Sequence, residues 1–205
     1  VISIGLLNKL QYNSPVVLTY ALLSLGVLAL SKLTNGLSDR LLFSVYRSPL
    51  TDVLTYPRMV LHVLGHSGYE HYMSNMLLML VIGPALEDKY KSKTLFWTIF
   101  ATALITGLAH WALFPKTALM GASGIVFMMI IMSSLSGMKN GRIPITLIFV
   151  IVFYMGAELA AGLTTNDDIA QFTHLIGGMC GGFIGSRLAS RSSSQLPQQR
   201  RLPKL

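Results

Sequence analysis

Residues 120–138 read Met-Gly-Ala-Ser-Gly-Ile-Val-Phe-Met-Met-Ile-Ile-Met-Ser-Ser-Leu-Ser-Gly-Met, without a single charge. A lone serine, Ser123, stands between glycines at the mouth of a run apolar enough for a bilayer. A spanning helix needs about 20 such residues, with a range of roughly 17–25. Outward from this stretch the same pattern recurs on both sides. Before it come Pro15 to Leu33, with proline at a favoured opening position, then His71 to Leu86, then Thr94 to Phe114. The second of these ends at Gly83-Pro84 and the charged Glu87-Asp88-Lys89. After it come Ile143 to Leu163, with Pro144 in its first turn, and the glycine-rich Ile169 to Ala189.

With Gly121 to Met138 counted fourth, the chain predicts an all-α, polytopic bundle of six transmembrane helices. Between the first two lies Thr34 to Glu70, too long and too mixed for a simple turn. Its hydrophobics, Leu41, Leu42, Phe43, Val45 and Tyr46, then Met59, Val60 and Leu61, predict a long structured loop of interfacial character. Residues 1–14 form an N-terminal cytoplasmic segment and 15–189 the membrane domain. Residues 190–205 are a basic Ser/Gln/Pro/Arg-rich tail expected to be disordered.

Composition agrees with a lipid environment. Charged residues make up 12% of the chain, against about 25% in soluble domains, and mean hydropathy is +0.58. The net charge of +8 does not point to nucleic acid, because the basic residues lie between and after apolar runs, where anionic headgroups would be. The single cysteine, Cys180, excludes an intrachain disulfide and any cysteine-rich metal site. No cleavable signal peptide is evident.

Loop charges set the orientation. Lys9, Lys89, Lys91, Lys93, Lys139, Arg142, Arg187, Arg191, Arg200, Arg201 and Lys204 fall on one side. Lys32, Arg40, Arg47, Arg58 and Lys116 fall on the other. Eleven against five places both termini in the cytoplasm. Helices two, four and six then all begin at the outer face. That brings His71, Asn75, Ser123 and His174 to one level on one side, His174 lying roughly 9 Å deep at 1.5 Å per residue from Asp168.

The residue types suit acyl transfer. A serine hydroxyl is a weak nucleophile until a neighbouring base takes its proton, and histidine is the usual base. The oxyanion that forms needs preorganised donors. Ser123 beside Gly124 at a helix start offers backbone N–H groups, while His71 and Asn75, four apart, share a helix face. Gly177, Gly181 and Gly185 make a flat stripe that admits close helix packing. His174 lies on that stripe and is thereby aimed at Ser123.

These runs, Gly121-Ala122-Ser123-Gly124, His66-xxxx-His71-xxx-Asn75 and His174-xx-Gly177-xxx-Gly181, resemble the signatures of the rhomboid family of intramembrane serine proteases. Gly83-Pro84-Ala85-Leu86-Glu87 is similar to a further family feature, and the likeness covers about Leu50 to Arg187. The resemblance implies a rhomboid-like six-helix fold and a serine endopeptidase with a Ser123–His174 dyad and no acidic third member. It implies an oxyanion hole from His71, Asn75 and the Ser123 amide, and a structural His66 that orients the loop. Gly121 would belong to the turn that exposes the serine. Substrates would be single-span membrane proteins, cut where small residues and helix-breakers let the span unwind. No cofactor or metal is implied, and the partners are those substrates and the lipid bilayer.

Two departures from the family pattern stand out. Phe127 replaces a frequent tyrosine four residues after the serine, and Tyr56-Pro57-Arg58 replaces a frequent Trp-Arg pair in the first loop. Short loops and a minimal core lean towards a bacterial inner membrane. Two rival readings are a metal-dependent hydrolase or transporter using His62, His66, His71 and His174, and an inactive relative that binds clients. The first lacks a His-Glu-xx-His string; the second has to explain an intact dyad. His62 and His110 read as structural or interfacial, and Glu158 as a neutral or paired carboxylate within the fifth helix.

Overall fold

The computed structural model describes residues 11–136, 142, 145–150, 152 and 168–194. It is mostly helical. Helix α1 (Pro15–Leu33) is followed by a π-helical turn at Asp39–Phe43 and a short strand β1 (Val45–Tyr46). Helix α2 (Thr55–Leu61) tightens into a 3-10 turn at His62–Leu64. Then come α3 (Tyr69–Tyr90), α4 (Ser92–Leu113), strand β2 (Ala118–Leu119) and α5 (Ser123–Ser136). Short α6 (Ile145–Val150) and long α7 (Asp168–Ser194) complete the described elements.

α1 has the bounds read from the sequence, and α4 and α5 begin or end within a few residues of theirs. α3 does not stop at Gly83-Pro84 but runs through Pro84 to Tyr90. Packing outweighs the local signal there. A Cβ on Gly83 would lie 2.7 Å from Val17 Cγ2, so α1 presses directly on that turn. One turn on, buried Glu87 accepts hydrogen bonds from Val16 N (3.0 Å) and Val17 N (3.1 Å). The first amides of a helix lack intrahelical partners, so α3 caps α1 with a carboxylate from another element. α7 reaches Ser194, inside the stretch read as tail. Most of the fifth expected helix, with Pro144 and Glu158, lies outside the described residues, as does 195–205.

α1 and α4 are long and apolar enough to cross a membrane, and α5 is a shorter apolar helix. The long helices alternate in direction. The beginnings of α3, α5 and α7 meet near Gly121 and Gly124. Their other ends meet where Lys89 donates to the Ser136 carbonyl and Gly185 lies against Leu135. α5 is the centre of the bundle: Gly124 through Met132 are all buried, whereas Leu22, Leu23, Leu25 and Leu30 of α1 are exposed. Met76, Met79, Met128, Met129 and Met132 fill the core, an unbranched side chain suited to irregular gaps.

The loop between α1 and α3 is tied down by its cations. Arg58 is buried; its Nη1 meets Asp52 Oδ2 at 2.7 Å, its Nε donates to the Leu41 carbonyl (2.9 Å), and its guanidinium lies 4.7 Å over the Tyr46 ring. That guanidinium holds the Asp52 carboxyl below its ordinary range. Arg47 donates to the Trp111 and Ala112 carbonyls, both at 2.7 Å, closing the C-terminal end of α4. β1 and β2 pair antiparallel, Val45 with Leu119 and Tyr46 with Ala118, which links the loop to the segment just before Ser123.

Candidate active site

After β2 the chain turns at Gly121, whose φ of +130° is a conformation L side chains rarely adopt. The turn is also sterically closed. A Cβ there would lie 2.8 Å from both Cε1 and Nε2 of His71. Gly121 N donates to the His62 carbonyl (3.0 Å), and the Ala122 carbonyl accepts the first helical bond of α5 from Val126 N (2.9 Å). Ser123 is thus the first helical residue, partly exposed between buried Ala122 and Gly124.

The glycine stripe of α7 packs on α5 residue by residue. A Cβ on Gly177 would collide with the Gly124 carbonyl, and one on Gly181 with the Met128 carbonyl. A Cβ on Gly185 would sit 3.4 Å from Met132 Cα. Thr173, one turn before Gly177 on α7, also meets Gly124, its Cγ2 3.1 Å from where a Cβ would be. His174 falls between Thr173 and Gly177, and its ring stacks on Phe127 with centroids 5.8 Å apart at 24°. Phe127 is one turn after Ser123. The two helices therefore place Ser123 and His174 along the same stretch of interface.

α3 supplies the third wall. His71 Nε2 faces Gly121, and its Nδ1 is 3.1 Å from Ser67 Oγ. Asn75, buried one turn later, donates from Nδ2 to the His71 carbonyl (2.9 Å), which leaves one Nδ2 hydrogen unused by that bond. His66 lies edge-on to His71 (5.1 Å) and to Tyr72 (5.6 Å), with Nδ1 donating to the Leu64 carbonyl (3.1 Å). Burial, helped by the neighbouring His71, pushes its pKa down to about 4, so the ring is neutral and acts as a packed wedge. His62 is likewise buried and pushed down to about 4, chiefly by burial. Its Nδ1 donates to the Arg58 carbonyl (3.3 Å) and its Nε2 is 3.4 Å from Thr106 Oγ1. Among the described residues no three His, Cys, Asp or Glu side chains converge as a metal site requires.

The description of one protein family, the Rhomboid domain, matches residues 54–191, well over half of the chain. The chain belongs to the rhomboid family. Similar relatives include Rhomboid-related protein 1 of Caenorhabditis elegans, 26% identical over 141 residues (62% of this chain, 38% of that protein). Rhomboid-related protein 2 of Mus musculus is 26% identical over 140 residues, covering 62% and 46%. YdcA of Bacillus subtilis, named as a candidate rhomboid protease, is 27% identical over 141 residues, covering 64% and 66%. The match spans less than two thirds of the length of each. Intramembrane proteolysis is the class of activity the family points to, with the bilayer as its setting.

Within this rhomboid, neither departure from the family pattern leaves a gap. The Phe127 ring packs on His174 without a hydroxyl, and Arg58 anchors the loop through Asp52, Leu41 and Tyr46 without a tryptophan beside it. His110, read as structural, stacks on Phe114 and bonds the Thr117 carbonyl through Nε2 (3.2 Å). Ser67 and Thr173 escape the sequence reading. A loop serine and a helical threonine carry no periodic signal, and only the fold puts them against His71 and Gly124.

Proposed function

We propose that this rhomboid is an intramembrane serine endopeptidase with Ser123 as nucleophile and His174 as general base. The observation that carries the reading is Gly124 held between Thr173 and Gly177, which brackets His174 beside the serine with its ring on Phe127. Ser123 Oγ attacks the scissile carbonyl carbon while His174 takes the hydroxyl proton, and His174 then returns it to the leaving amine. Water hydrolyses the acyl-enzyme by the reverse sequence. The oxyanion is met by the Ser123 N–H, the second Asn75 Nδ2–H and His71 Nε2–H. A Ser67 hydroxyl donating to His71 Nδ1 favours that tautomer, since it leaves the proton on Nε2.

Six spans, both termini in the cytoplasm and a site opening to the outer side complete the proposal. The alternation of the described helices and the loop charges support it. Substrates are single-span membrane proteins, cut in or near the span.

A fluorophosphonate probe tests the dyad. It should label wild-type protein at Ser123, and both labelling and cleavage of a transmembrane model substrate should be lost in Ser123→Ala and His174→Ala. Cleavage undiminished in Ser123→Ala would sink the assignment.

A further inference from the structure

Beside the proposed catalytic site lies an open cleft of roughly 620 Å³, lined by Lys32, Asn35, Asp39, Arg40, Ser67 and Met120 among others. Two of these residues belong to the site's own framework. Ser67 contacts His71 Nδ1, and Met120 immediately precedes the Gly121 turn. The cleft thus shares two of its lining residues with the framework around His71 and the Gly121 turn.

Its cations stand out against the others on this face. Of the five cations placed on this face by the loop pattern, Arg47 closes the end of α4 and Arg58 pairs with Asp52. Lys116 is exposed in the turn after α4. Lys32 and Arg40 converge on the cleft, and among the described residues neither has an ion-pair partner. Lys32 also suits the negative end of α1; Arg40 has no such role. The one acid on the wall, Asp39, is buried, with Oδ2 accepting from the Ser31 hydroxyl at 2.5 Å. The exposed rim is therefore cationic.

We infer that this cleft receives an acidic side chain from the polar flank of the substrate, with Lys32 and Arg40 as specificity-determining residues. The inference rests on the protease reading above. An extended chain advances about 3.3 Å per residue, and Met120 is three residues from Ser123. The side chain lodged here thus lies within a few residues of the cleaved bond. The chemistry matches what membrane proteins present at that level, because outer flanks of spans are poor in Lys and Arg while Asp and Glu are freely tolerated. A lipid phosphate would also meet these cations, but the walls are shared with the catalytic framework, which favours the polypeptide.

Three single-span model substrates decide it, identical except for Glu, Ala or Lys within four residues of the cut, placed on either side in turn. The wild type should prefer Glu over Lys by about three- to tenfold in kcat/KM, the scale of one or two partly exposed ion pairs. The preference should shrink with added salt and vanish or invert in the Lys32→Glu/Arg40→Glu double variant. Because the readout is a ratio between substrates, it does not depend on how much of the variant folds. Equal cutting of all three by wild type, or a preference kept by the double variant, would overturn the cleft's role and leave the dyad standing. So would rates that follow the phosphatidylglycerol content of phosphatidylcholine vesicles rather than substrate charge. Failure to cut any of the three, with no probe labelling of Ser123, would overturn both.

Discussion

At the scale of single residues, the His174 ring rests on a neighbour with no chemistry of its own. Phe127 holds the imidazole by stacking, worth about 0.5–1.5 kcal/mol beyond simple burial. Phe127→Tyr should keep most turnover, and Phe127→Ala should lower kcat by about three- to tenfold with little change in KM, as steady-state cleavage would show. The buried histidines make a different prediction. His62 ordinarily titrates near 6.5 and is pushed down to about 4 here, so the folded protein binds its proton more weakly than the unfolded chain does. Its contribution to stability is full above about pH 6.5 and is lost as pH falls towards 4. Thermal unfolding in detergent should show that fall, and His62→Gln should make it shallower, with His66 supplying the remainder; equal slopes would refute the role. Ser123 and His174 are legible in the chain as polar residues near the starts of apolar runs, and His71 and Asn75 through their spacing of four at the start of another. Ser67 is not, since an exposed loop serine looks like any other.

At the scale of elements, the glycine stripe of α7 is what joins the two halves of the proposed dyad. Its reading survives contact with the structure because spacing by four dictates a single helix face whatever lies opposite. Not every glycine matters equally. A Cβ on Gly177 meets backbone that cannot move aside, whereas one on Gly182 lies 4.0 Å from Ile131 Cγ2, an ordinary contact. Gly177→Ala should therefore part the helices at a cost of about 1–3 kcal/mol and abolish probe labelling, while Gly182→Ala leaves both stability and labelling near wild type. The continuation of α3 through Pro84 is the counter-example. Proline is a sound local stop signal, but its meaning here depends on Val16 and Val17, which meet Glu87 from across some seventy residues of chain. No local pattern carries that information.

At the scale of the whole molecule, the proposed orientation follows from loop charge and is open to a direct check. In a Cys180→Ser background, Asn35→Cys should react with a membrane-impermeant maleimide in intact cells, and Lys93→Cys only after permeabilisation. The reverse pattern would invert the topology. α5 is encased on every side, and its 14 residues rise only about 21 Å, against a hydrocarbon core of about 30 Å. Its far end is marked by Lys89 reaching the Ser136 carbonyl, a charge that belongs at the inner boundary. In the proposed orientation Ser123 then hangs about 9 Å beneath the outer boundary, a distance an extended chain covers in about three residues. The short helix works as a ruler suspended from the inner leaflet. Under the proposed dyad and orientation it would set the cleaved bond by depth, and in a thicker bilayer its mark would fall further into the substrate's span.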